Sequence, residues 1–213
     1  MPLVHDTHFQ VYKVAGMGPY NNNGYVLADR ASRECYLVDA PAEIPRLLTE
    51  ASGMLVKGVL ITHTHPDHIA GYADLMALTE LPVAVHPADA ARLPGPAVFG
   101  LNDGDVLQVG STPIQVLHTP GHTPGGVCLL IGDCLISGDT LFPGGPGYTR
   151  GPEAFEQVVR SITEHLYALD SAVKVFPGHG GDTTIGDSKI EYTVFTAKAR
   201  NAGLHGEVHW LTS

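Results

Sequence analysis

The sequence predicts an α/β (α+β) protein of one domain, residues 1–213. Its expected architecture is a four-layer αββα sandwich of two mixed β-sheets with helices on the outer faces. Three observations lead there. Apolar strands and helical stretches run in the order strands, helix, strand, helix, and the second half repeats that order. His and Asp residues cluster where strands of both halves stop, so both halves bring strand ends to one rim. No linker, short-period repeat or low-complexity stretch divides the chain.

Residues 9–14, 25–28 and 35–39 read as a β-meander, with Gly and Asn between them as turn formers. A helix over 42–51 is ended by Ser52-Gly53. Residues 56–62 form a buried strand, and 69–78 have helical spacing with Asp67 placed to cap the N-terminus. A short strand at 83–86 and a short helix at 88–93 follow. Strands at 106–109, 114–118, 127–131 and 134–137 open the second half, with Asp103-Gly104 and Gly132-Asp133 as tight turns. The longest helix covers 152–169, with Pro152 in the first turn, which tolerates a missing N–H. A last core strand at 173–176 and a helix at 187–199 complete the pattern.

Composition narrows the function classes. The formal net charge is −10 with no cluster of Lys or Arg, which speaks against a nucleic-acid partner, since that affinity rests on neutralising phosphates. No apolar run approaches the ~18 residues of a membrane span, and the N-terminus lacks the basic and apolar regions of a signal peptide. No membrane partner and a cytoplasmic location are therefore expected, while nothing in the pattern sets an oligomeric state. Cys35, Cys128 and Cys134 are an odd count in apolar settings and read as buried free thiols.

The chemistry lies in His63-Thr64-His65-Pro66-Asp67-His68, which packs four strong metal ligands between a strand and a helix. His63 and His65, two apart on an extended strand end, project to one side. Asp67 and His68, adjacent at a helix start, diverge and can serve a second ion. His122 and His179 lie on Pro-Gly turns, and Asp139, between Gly138 and Thr140, has two carboxylate oxygens that can bridge two ions. Four loops of ligands are too many for one tetrahedral ion, so two divalent ions are expected, Zn before Fe or Mn. His86 and His118 lie near these loops and are candidates to orient a ligand imidazole.

His-x-His-x-Asp-His followed by His122, Asp139 and His179 resembles the metallo-β-lactamase-fold superfamily over nearly the whole chain. Residues 62–71 and Gly138-Asp139-Thr140-Leu141-Phe142 are most similar to hydroxyacylglutathione hydrolases (glyoxalase II) and their bacterial relatives. The resemblance implies one metal on His63, His65 and His122, and another on Asp67, His68 and His179, with Asp139 bridging. It implies a thioesterase in which a metal-bridging hydroxide attacks an acyl-thioester carbonyl, with Asp67 as a catalytic residue orienting that hydroxide. Two metals roughly 3.5–4 Å apart lower the pKa of a shared water to near 7, so no side-chain nucleophile is needed. A thiolate, with a free pKa of about 8.5, departs without protonation, whereas an expelled amide nitrogen needs an acid.

The loop after Asp139 departs from the glyoxalase II pattern, reading Pro143-Gly144-Gly145-Pro146-Gly147-Tyr148-Thr149-Arg150, and only 201–213 follow the final helix. Tyr148 and Arg150 are expected to bind substrate, Arg150 through a carboxylate of a thiol cofactor, and the carrier is glutathione or another small thiol. The alternative is a mononuclear iron persulfide dioxygenase using His63, His122 and Asp139. A metal-dependent lactonase, a phosphodiesterase and a non-catalytic binding module complete the range.

Overall fold

The computed structural model describes residues 2–198 and 203–213. Strands β1 (Leu3–Asp6), β2 (Phe9–Met17), β3 (Asn22–Asp29) and β4 (Glu34–Val38) form an antiparallel meander. Helix α1 (Ile44–Glu50) leads to β5 (Leu55–Ile61), and α2 (Tyr72–Leu78) to β6 (Val83–Val85) and β7 (Phe99–Gly100), all added in parallel. The second sheet is β8 (Val106–Val109), β9 (Thr112–His118), β10 (Val127–Ile131) and β11 (Cys134–Gly138), antiparallel throughout. A small ladder of β12 (Leu141–Phe142) and β13 (Gly145–Pro146) precedes α3 (Pro152–Ser161). Strand β14 (Lys174–Pro177) then joins β11 in parallel, β15 (Thr183–Thr184) edges it, and α4 (Ile185–Thr196) packs outside.

The sandwich follows from strands apolar on both faces. Along β3, Tyr25 and Leu27 enter the core between the sheets, while Val26 and Ala28 enter the core beneath α1 and α2. Along β10, Val127, Leu129 and Ile131 face the inter-sheet core and Cys128 faces the core beneath α3 and α4. Side chains alternate across a strand, so two helix layers must cover the two outer faces. Three apolar cores between four layers result. Each takes one buried free cysteine: Cys35 under α1, Cys134 between the sheets, Cys128 under α3. No helix of the described residues is long and apolar enough to cross a membrane.

Several boundaries differ from the sequence expectation. Helix α1 starts two residues late because Glu43 adopts a left-handed conformation, φ 64°, and Pro45 suits the first helical turn. Asp67 caps nothing: α2 begins only at Tyr72 with Gly71 as its cap residue, and residues 66–71 are turns. The Asp67 carboxylate instead accepts the Asn22 side-chain N–H at 2.8 Å. The helix expected at 88–93 is a single 3₁₀ turn, Ala90–Arg92. The helix expected at 152–169 is α-helical to Ser161 and continues as a π-turn, Ile162–Leu166, which keeps Ile162 and Leu166 buried. The last helix starts at Ile185, capped by the Thr184 hydroxyl accepting the Asp187 N–H; its expected end, Ala199, lies outside the described residues.

Asp29 ties the end of β3 to the turn between β8 and β9. Its carboxylate accepts the Ser32 N–H and hydroxyl, each at 2.8 Å, and the hydroxyls of Thr112 and Ser111 at 3.2 and 3.3 Å. The Ser32 backbone bond, then these hydroxyls, lower its pKa from 3.8 to about 2. A depressed carboxyl adds stability above its unfolded pKa that is lost as pH falls through the folded one. Asp29→Ala is therefore expected to lower unfolding stability at neutral pH by about 1–3 kcal/mol. The difference from the parent should vanish in chemical unfolding as pH falls from 3.8 toward about 2.

Candidate metal centre

The strand ends of both sheets meet at one rim. His63 and His65 follow β5, Asp67 and His68 sit in the turns before α2, and His122 lies between β9 and β10. Asp139 follows β11 and His179 follows β14. The seven side chains converge. The ligand atoms of His63, His65 and His122 lie within 4.8 Å of one another, as do those of Asp67, His68 and His179. Asp67 and His68 thus converge on one point rather than diverge. Asp139 reaches both groups: Oδ1 is 3.3 Å from His68 Nε2, and Oδ2 is 3.5 Å from His122 Nε2 and 3.6 Å from His179 Nε2.

The folds of the two sheets lock these loops. Asn23 donates its side-chain N–H to the carbonyls of Pro177 and Gly180, and the Tyr25 hydroxyl donates to Pro177 at 2.6 Å, clasping the loop that carries His179. Gly178 is required by close approach, since a Cβ there would collide with the Asp139 carboxylate and the His68 ring. Asp89, fully buried, accepts the backbone N–H of Thr64 at 3.1 Å and of Gly125 at 2.9 Å. One carboxylate therefore pins the His63–His65 turn to the His122 loop.

Hydrogen bonds assign the imidazole tautomers. His68 Nδ1–H donates to Asp39 at 2.8 Å, His122 Nδ1–H to the Tyr148 carbonyl at 2.8 Å, and His179 Nδ1–H to the Tyr20 carbonyl at 3.0 Å. The Thr62 hydroxyl is spent on Asp39 and so accepts from His63 Nδ1–H at 3.2 Å. Four Nε2 lone pairs consequently point inward at carboxylate oxygens and at one another. His68 and His179 Nε2 are 3.3 Å apart, and His179 Nε2 is 3.2 Å from Asp67 Oδ2. Ligands around one tetrahedral ion with bonds near 2.0–2.1 Å stand roughly 3.3–3.5 Å apart. The buried atoms His63 Nε2, His122 Nε2 and Asp139 Oδ1 have no hydrogen-bond partner. Inward lone pairs without donors are the condition a cation relieves, and the donor set of nitrogen and carboxylate oxygen fits a divalent ion.

Protonation directions divide the rings: His63, His65 and His122 are lowered, whereas at His68 and His179 burial is outweighed by the neighbouring carboxylates, which raise both. Burial, then the crowd of imidazoles, pushes His63 well below the ordinary histidine value, and burial takes His65 down to about 4. Burial also lowers His122, so these three rings keep free lone pairs. Burial would lower His68 as well, but the Asp139 and Asp39 carboxylates raise it well above the usual range. Burial works against the Asp67 charge, yet His179, His68 and Asn22 hold its carboxyl well below the usual value.

Other expected residues fall elsewhere. His86 and His118 do not orient a ligand; they stack on each other with centroids 3.9 Å apart, and His118 Nε2 bonds the Pro124 carbonyl. Their separation along the chain hid this pairing. Tyr148 and Arg150 line two clefts that open on either side of His122. The residues that sequence reasoning missed are Asp39, Thr62, Asn22 and Asp89. The single available signal was Asp39 itself, a carboxylate ending the apolar run Tyr36-Leu37-Val38.

Comparison with known proteins agrees with this geometry. The family model described as the metallo-beta-lactamase superfamily matches residues 17–194. A hydroxyacylglutathione hydrolase of Cereibacter sphaeroides is 34% identical over 160 residues, which cover 75% of this chain but only 62% of that enzyme. The structure of ETHE1 from Myxococcus xanthus is similar with a TM-score of 0.74 and 30% identity, over 84% of this chain and 81% of that one. BLEG-1 B3 metallo-beta-lactamase gives a TM-score of 0.74 at 27% identity, over 84% and 96%. TTHA1623, in a di-iron-bound form, gives a TM-score of 0.71 at 30% identity, over 84% and 96%.

Proposed function

The chain belongs to the metallo-β-lactamase superfamily, and from that premise we propose that it is a binuclear metallo-hydrolase of acyl thioesters, similar to glyoxalase II. Members of the superfamily are mostly hydrolases, and its fold implies divalent metal binding. The observation that carries the binuclear reading is the reach of Asp139 to both three-residue groups. In this reading His63, His65 and His122 hold one ion, Asp67, His68 and His179 the other, and Asp139 both. The di-iron form of TTHA1623 supports two ions, and zinc is favoured over iron or manganese.

Bound divalent ions supply Lewis acidity, which lowers the pKa of water to near 7 and stabilises a developing oxyanion. The remaining steps fall to the chain. Asp67, whose Oδ2 is fixed by the Asn22 amide at 2.8 Å, keeps its other carboxylate oxygen to accept a hydrogen bond from the attacking oxygen and orient it toward the carbonyl. Burial keeps bulk water from His63 and His68, while Asp139 is partly exposed beside them. Tyr148 and Arg150 contact the substrate from opposite sides. Besides the candidate ligands, the carboxyl on the cleft walls is Glu207, exposed on the outer edge. A leaving thiolate, which needs no proton, suits such a site better than an amide nitrogen. The similarity to a hydroxyacylglutathione hydrolase supports the same substrate class.

The second reading, a mononuclear iron persulfide dioxygenase, draws support from the likeness to ETHE1. One experiment separates the two. Elemental analysis paired with anaerobic assay of acyl thioesters is expected to give two divalent ions per chain and release of free thiol without oxygen. One iron per chain, with persulfide-dependent oxygen uptake and no thiol release, would overturn the hydrolase.

A further inference from the structure

The clefts beside His122 differ in charge. The cleft holding Tyr148, ≈ 560 Å3, is walled by Phe142, Pro146 and the C-terminal residues Glu207, Val208 and His209, with no Lys or Arg. The other, ≈ 630 Å3, is lined by His65 and His122 together with Arg92, Arg150 and Gln157, and no Asp or Glu lines it. In a chain with 12 Lys and Arg against 22 Asp and Glu, two guanidiniums at one cleft without a lining acid run against composition. Arg92 Nη1 stands 3.2 Å from Asp89 Oδ1, but that carboxylate is fully buried and already holds the N–H groups of Thr64 and Gly125. The Arg92 guanidinium keeps N–H donors for a ligand. Arg150, exposed, makes no hydrogen bond or ion pair among the described residues. Pro66, Ile69, Pro94 and Ala154 add apolar wall to the same cleft.

We propose that this second cleft is a carboxylate subsite. The substrate is a thioester bearing a carboxylate some carbons away from the reacting carbonyl. That carboxylate pairs with Arg150 and Arg92, and the Gln157 amide donates to it, while the intervening methylenes lie on Ile69 and the prolines. Planar guanidinium forks match a carboxylate in two-point pairing, which a lone lysine does not. The opposite cleft receives the uncharged or amine-bearing half, beside Glu207. This inference rests on the thioesterase reading of the centre for its turnover arm, and on the two clefts alone for its binding arm.

The test uses the full metal-loaded chain and two matched substrate pairs. One pair places the carboxylate on the acyl group, a glutaryl thioester of a neutral thiol against its methyl ester. The other places it on the thiol, a butyryl thioester of mercaptopropionate against its amide. One pair is expected to show a preference for the carboxylate of roughly tenfold or more in kcat/KM, carried by KM, and its identity tells which half enters the cleft. Arg150→Gln should cut that ratio by about tenfold, with Arg150→Lys recovering part of it, and added salt should shrink it. Ratios near one in both pairs, or an unchanged ratio in Arg150→Gln, overturn the subsite and leave the thioesterase standing. If no thioester is cleaved, the thioesterase reading fails, and calorimetric binding of the corresponding uncleavable thioethers still decides the subsite. Equal affinity of parent protein for carboxylate and amide thioethers would refute it.

Discussion

Asp139→Ala is expected to leave a folded protein that holds one divalent ion or none where the parent holds two. Its thioester kcat/KM should fall by roughly 10²–10³-fold or more, the scale of losing one group that stabilises a developing oxyanion. The physical cause is position. Asp139 is the carboxylate that reaches both ligand groups, with Oδ2 near His122 of one and His179 of the other, and Oδ1 near His68. Without it, two sets of inward lone pairs face each other with no anion between the cations they hold, and the repulsion between those cations is unscreened. The substitution deletes atoms from a site where Gly178 and Gly147 already give the backbone room, so it opens space rather than forcing a clash. Metal content by elemental analysis, with circular dichroism and thermal unfolding as the folding control, reads the result. Two tightly held ions in Asp139→Ala would show that the bridge is not Asp139.

The convergence of the seven candidate side chains was legible in the sequence because their motifs are local. His63 to His68 is one continuous run, and His122, Asp139 and His179 each sit in a Pro- or Gly-rich turn that advertises a fixed backbone. The residues that hold those candidate side chains in place were not legible, because they arrive from far along the chain. Asp39 reaches Thr62 across 23 residues and His68 across 29, Asn22 reaches Asp67 across 45, and Asp89 reaches Gly125 across 36. The same blindness explains the misplaced cap. An Asp ahead of an apolar helical stretch is a sound capping signal until a distant Asn competes for the carboxylate. The sandwich was legible for the opposite reason, since strands such as β3 and β10 carry apolar residues on both faces and so demand layers on both sides. Two-residue strands such as β7, β12, β13 and β15 carry too few residues for any period to show.

Asp39→Asn should lower the affinity of the ion beside Asp67, His68 and His179 by about 10–100-fold, with a smaller effect at the other. Asp39 is buried, and its carboxylate holds the Thr62 N–H at 2.7 Å, the Thr62 hydroxyl at 2.9 and 3.0 Å, and His68 Nδ1–H at 2.8 Å. Its backbone is left-handed, φ 62°, a conformation that Asn tolerates, so the substitution tests the charge without straining the chain. Asn keeps one oxygen for the Thr62 N–H but turns an NH₂ toward His68. Two donors then face each other, and the relief is for His68 to carry its proton on Nε2 with Nδ1 accepting. That tautomer points N–H, not a lone pair, into the site, and a protonated nitrogen cannot bind a cation. The Thr62 hydroxyl can swing between partners, so His63 is disturbed less. Asp39→Ala should be worse in a different way. It strands the buried Thr62 N–H and places an alanine at positive φ, costing stability by about 1–3 kcal/mol for each effect. Metal titration against a chelator measures the affinity, and nitrogen chemical shifts of the His68 ring report the tautomer. Parent-like affinity for both ions in Asp39→Asn would mean that the carboxylate does not set the direction of the His68 lone pair.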